Sequence, residues 1–161
     1  MSKTSKEQLA IYLNDHLGGS VGALALLEDL IACTKDGSQQ TALAELLREI
    51  QGDQQVLRDM MKTAQIKESA TKKGLAWLTE KLTSPKLLKR VRGGGGLGSL
   101  QALEALYLGI TGKLLLWRVL ESTVGHSVFP GVDFEHLSIR ADTQRRQVDK
   151  MRCAAASQVL G

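Results

Sequence analysis

The chain has 161 residues, 43% of them hydrophobic and 24% charged, which fits one ordinary domain with enough apolar mass for a core. Lys and Arg total 21 against 17 Asp and Glu, a formal charge of +4 that is too mild to name a partner. Two cysteines, Cys33 and Cys153, exclude a disulfide scaffold and a Cys-based zinc site. The polar residues before Leu9 lead into no signal-like segment, and no apolar run approaches the roughly 18 residues of a membrane span. The expectation is a single soluble, cytoplasmic domain over residues 1–161.

The first periodic segment covers about 7–34. Leu9, Tyr12, Leu13, His16, Ser20, Ala23, Leu24, Leu27 and Ile31 recur at spacings of three and four, one face of an amphipathic helix. Gly18 and Gly19 sit inside it at a cost of roughly 1 kcal/mol each relative to Ala. They predict either a local interruption or the close approach of another backbone. Asp36-Gly37-Ser38 is a turn signal.

A second helix is expected over about 39–64, with Leu43, Leu46, Leu47, Ile50, Asp53, Leu57, Met60, Met61 and Ala64 along its inner stripe. Asp53 falls in the middle of that stripe, and Glu49 lies one turn earlier at its border.

Residues 65–98 are less regular. Leu75, Leu78 and Leu82 mark a short helix that Trp77 flanks, and Ser84-Pro85 breaks the chain. Lys86 to Arg92 carries four basic residues, Lys86, Lys89, Arg90 and Arg92. With Lys72, Lys73 and Lys81 they give this segment a positive face, read as a solvated loop. The glycines from Gly93 to Gly98 read as a mobile connector. They lack the GKS or GKT ending of a phosphate loop.

A third long helix is expected over about 99–123, with Ser99 as N-cap. Leu100, Leu103, Glu104, Tyr107, Thr111, Leu114, Leu115 and Arg118 are its inner residues. A loop from His126 to Val132 contains the turn pair Pro130-Gly131. Asp133 then caps a fourth helix over about 133–159, with Phe134, Leu137, Ala141, Gln144, Val148, Met151, Ala155 and Val159 facing inward.

Four long helices without a convincing strand predict an all-α four-helix bundle. Short links within each pair make two antiparallel hairpins, and residues 65–98 are long enough to cross the bundle with one or two short helices. That connectivity is the ferritin-like one. Local wording agrees. Tyr12-Leu-Asn-Asp-His-Leu17, Leu43-Ala-Glu-Leu-Leu-Arg-Glu-Ile50, Ala76-Trp-Leu-Thr-Glu-Lys-Leu82 and Leu103-Glu-Ala-Leu-Tyr-Leu-Gly109, running on to Leu116-Trp-Arg118, together resemble small uncharacterised bacterial proteins of the ferritin-like class. The resemblance implies a fold and no particular reaction.

The Glu-x-x-His motif of di-iron bundles is absent. Of the three histidines only His16 lies on an inner stripe. His126 is in the loop, and His136 directly follows Glu135, on a different helix face. The inner polar residues leave two readings open. One is a buried hydrogen-bonded network without catalysis, in which a carboxylate holds His16, Gln144 takes part and an arginine such as Arg118 or Arg145 closes the charge. The other is a non-standard metal site of His16, Glu49, Asp53 and Glu104, a mixed N/O set suited to Fe, Mn or Zn. Convergence to about 2.0–2.2 Å of one point would mark the metal site; pairing with arginine would mark the network. The first reading needs no cofactor, and no small-molecule ligand is implied.

Two partner readings accompany these. The basic segment Lys86–Arg92 is a candidate for nucleic acid or an anionic surface, disfavoured because no recognition helix or aromatic platform accompanies it. The broad apolar faces of the first and third helices suggest a homodimer. Cys33 and Cys153 read as packing residues.

Overall fold

The computed structural model describes residues 2–69, 80, 82 and 84–161. Six helices form among them: α1 (Lys3–Cys33), α2 (Gly37–Thr63), α3 (Pro85–Arg92), α4 (Gly96–Ser122), α5 (Gly125–Val128) and α6 (Phe134–Leu160). The described residues contain no strand. This is an all-α helical bundle built on four long helices.

Helix starts follow local chemistry. Asp36 accepts from the Gln39 N–H at 2.8 Å and caps α2. Asp133 accepts from the His136 N–H at 2.9 Å and caps α6. Each satisfies an N–H left over by the first turn.

Two apolar clusters fill the bundle and fix the direction of each helix. One gathers the C-terminal half of α1, the N-terminal halves of α2 and α4, and the C-terminal half of α6, through residues such as Leu27, Leu46, Leu103 and Val148. The other gathers the opposite halves, through Leu13, Leu57, Trp117 and Phe134. So α1 and α2 are antiparallel, as are α4 and α6, while α2 and α4 run the same way. The end of α2 and the start of α4 therefore lie at opposite ends of the bundle.

Several expectations change. Pro85 does not only break the chain; it opens the short helix α3, where its missing N–H would have no intrahelical partner. Lys86 to Arg92 is thus helical, not a loop. Leu87 and Val91 are buried, whereas Lys86, Lys89, Arg90 and Arg92 are exposed. Arg92 forks onto Asp29 of α1 at 3.0 and 3.2 Å, and Arg90 donates to Gln101 at 2.7 Å.

The glycine run is only partly connector. α4 begins at Gly96, with Gly95 rather than Ser99 as its cap. Gly98 is buried where α3 crosses α4: a Cβ there would stand 2.6 Å from the Arg90 carbonyl. Glycine at this position is a packing requirement. The stretch after α4 also holds the single-turn helix α5. Its following turn needs Gly131, at φ +85°.

α1 passes Gly18 and Gly19 without interruption, and a Cβ added at either meets nothing within 4 Å. Neither expected cause applies. α1 also holds an 18-residue window of mean hydropathy 1.3, long and apolar enough by composition to cross a membrane, contrary to the sequence expectation. Its Leu13, Leu17, Leu26, Leu27 and Leu30 are buried in the bundle.

The inner face of α4 differs from the expected one. Glu104, Leu115 and Arg118 are exposed, while Ala102, Ala105, Leu106, Ile110 and Trp117 are buried. Periodicity is a poor guide on a helix packed against α1, α3 and α6 at once, because more than one of its faces is apolar. Of the cysteines, Cys33 is half-buried and Cys153 exposed, so only the first packs. Leu75, Trp77, Leu78, Lys72, Lys73 and Lys81 lie outside the described residues.

Candidate functional site: a buried polar network

Asp53 sits halfway along α2, between the two apolar clusters, and is 2% exposed. A carboxylate there costs several kcal/mol unless it is paired. Both its oxygens are paired. Oδ2 accepts from the Lys113 ammonium of α4, and Oδ1 accepts from the Arg140 guanidinium of α6.

Gln144, one turn beyond Arg140 and fully buried, ties the set together. Its Oε1 accepts from Lys113, while its Nε2 donates to Glu49 at 2.9 Å and to Asp53 at 3.3 Å. Only one orientation of the amide serves all these partners. Glu49 and Asp53 supply two negative charges and Lys113 and Arg140 two positive ones, so the network is neutral. Burial pulls the Lys113 ammonium below the usual lysine range, and the adjacent Asp53 carboxylate opposes that shift.

The expected inner residues separate into those that join this network and those that do not. Asp53, Glu49 and Gln144 belong to it. Arg118 is exposed on the outer side of α4. Arg145 instead pairs with Asp142 at 2.6 Å and lies over the Tyr107 ring, 5.7 Å from its centroid. Neither arginine reaches Asp53. Two residues outside the expected set close the charge.

Those two are Lys113 and Arg140. Arg140 on α6 is 32% exposed and Lys113 on α4 is 14% exposed, so each stands at the edge of its helix's buried face. Both have long stems that reach inward from such borders and bury methylenes along the way. The available signal was the demand itself: an inward Asp53 needs a cation on a facing helix.

His16 is not held by a carboxylate. It packs edge-on against Tyr12, ring centroids 4.7 Å apart, and burial lowers its pKa to about 4, so the imidazole is neutral at pH 7. Glu104 is exposed. Among the described residues, no three His, Cys, Asp or Glu side chains gather as metal ligands would. His126 lies in α5 beside Phe134, and His136 is exposed in the first turn of α6.

A cavity of about 50 Å³ adjoins the network between α1, α2 and α4, with His16, Gly19, Ser20, Asp53, Lys113 and Trp117 among its lining residues. Gln54 of α2 donates to the Ser20 hydroxyl at 2.8 Å, which itself donates to the Leu17 carbonyl at 2.7 Å. No known protein family, curated protein or solved structure matches the chain.

Proposed function

We propose that the chain is a non-catalytic helical bundle of ferritin-like connectivity, in which the Asp53 network sets how the long helices assemble. The observation that carries this reading is the pairing of both Asp53 oxygens with cations. The amide of Gln144 is used at both ends. A general acid or base needs a proton it can exchange with substrate, and a metal cation would have to compete with the two positive charges already at Asp53. A metal at Asp53 would have to displace Lys113 and Arg140. Two hairpins with α2 and α4 running the same way support the ferritin-like kinship.

Buried ionic groups contribute little net stability and in some systems select a single arrangement. An apolar replacement of the whole set, Asp53→Leu with Glu49→Leu, Lys113→Met, Arg140→Leu and Gln144→Leu, tests for that role. The expected product is folded and helical, with a broadened or multiplied amide NMR spectrum. A single sharp spectrum would refute the role in assembly. Elemental analysis of untagged protein from metal-replete cells tests the other half. Stoichiometric Fe, Mn or Zn lost on Glu49→Gln and Asp53→Asn would replace this reading with a metal site.

A further inference from the structure

α4 carries a second apolar face, turned away from the core. Leu97, Leu108, Leu115 and Val119 are between 37% and 53% exposed. Successive helical residues are turned by about 100°, so spacings of eleven, seven and four keep these side chains within a strip about 40° wide. The strip runs for about 33 Å along the helix axis. Scattered exposed aliphatics need no explanation, whereas several in line on one helix leave an apolar seam in water.

The charges beside this seam select its occupant. Glu104 and Arg118 are both exposed, and neither joins an ion pair among the described residues. They stand seven positions to either side of Thr111, while Leu108 and Leu115 stand three and four positions from it. Turning the helix end for end about Thr111 therefore exchanges acid for base and one leucine for the other. Thr111 is short, and its hydroxyl is occupied by donating to the Tyr107 carbonyl at 2.8 Å. The centre of the seam thus presents no unpaired polar hydrogen.

A surface that matches itself after a half turn is what a two-fold interface requires. We propose that two copies of the chain pair through α4, antiparallel, with the two-fold axis level with Thr111. Leu108 then packs against the partner's Leu115, and Glu104 meets the partner's Arg118, each contact occurring twice. The opposite charges at both ends fix the register, along which an apolar seam alone could slide. Contact from Glu104 to Val119 covers about four turns, the extent of a weak, exchanging dimer and not of an obligate one. Lys113 and the Asp53 network lie on the other side of α4, so the pairing does not depend on the network's role in assembly.

Sedimentation equilibrium over a series of concentrations tests the pairing. The mass is expected to rise from 17.5 kDa toward twice that value. Leu115→Glu should hold the chain as a monomer, with an unchanged circular dichroism spectrum because the side chain faces solvent in the single copy. Glu104→Arg and Arg118→Glu should each weaken the dimer about tenfold, since each sets like charges against one another at both ends. Combined, the two reversals restore opposite charges in exchanged places and should recover the association. A parent that stays at 17.5 kDa up to about 1 mM overturns the proposal and leaves the seam to a different occupant. A dimer indifferent to Leu115→Glu overturns it too, placing the contact on another face, such as that of Ile11 and Val21 on α1. Failure of the double reversal to recover what the single ones lose overturns the antiparallel register.

Discussion

Asp53 on α2 and Gln144 on α6 meet at 3.3 Å, though 91 positions separate them in the chain. Each is the single buried polar residue on its helix. Their contact lies where the two apolar clusters meet, so the middle of the bundle is held by ion pairs and an amide, with hydrocarbon above and below.

Removing the centre of that network should be costly. Asp53→Ala leaves Lys113 buried without its counter-ion, and a loss of about 3–5 kcal/mol is expected. Urea unfolding followed by circular dichroism measures it. A cost within about 1 kcal/mol, the range of exposed pairs, would show that water already solvates the site.

The arginines of α6 should differ from one another. Arg140→Ala removes a partner of the buried Asp53 and should cost about 1.5–3 kcal/mol. Arg145→Ala removes a local i,i+3 pair with Asp142 whose side chains are 31% and 21% exposed, and should cost less than about 1 kcal/mol. Parallel denaturation curves give the comparison, and equal losses would contradict the assigned partners.

Two glycines make opposite predictions. Gly98→Ala forces a Cβ to 2.6 Å from the backbone of Arg90, and overpacking against backbone should cost about 1–3 kcal/mol. Gly19→Ala meets no atom and should stabilise by about 0.5–1 kcal/mol through helix propensity. Melting temperatures of the two variants should move in opposite directions.

His16 makes stability depend on pH. Its folded pKa of about 4 lies below the ordinary 6.5, so the unfolded chain binds the extra proton first. The neutral imidazole therefore favours folding fully above pH 6.5, and that contribution drains away as pH falls from 6.5 toward 4. The gap corresponds to about 3 kcal/mol at most. The unfolding free energy of the parent relative to that of His16→Gln should fall as pH drops through this window. A constant difference would mean that His16 is solvated.

Much of the fold was legible because its signals are local. The stripe through Leu43, Ile50, Leu57 and Met61 marks a single buried face of α2, and Asp133 announces the start of α6. Asp53 and Gln144 were also legible, since each interrupts an apolar row at the helical period. α4 was not legible in the same way. Apolar on several sides, it let Glu104 and Arg118 pass as inward residues, although both are exposed. The basic segment before it was misread because Pro85 marks a helix start as readily as a break.

From the sequence alone came four long helices, their approximate limits, and a buried carboxylate on α2 that required compensation. Periodicity and capping are properties of neighbours in the chain, so one dimension suffices to read them. The tertiary structure decided which cations answer Asp53. Lys113 and Arg140 stand 60 and 87 positions away, and their reach depends on which helix faces which. It also turned Gly19 from a helix defect into the wall of a cavity, because the worth of an absent side chain depends on what stands across from it.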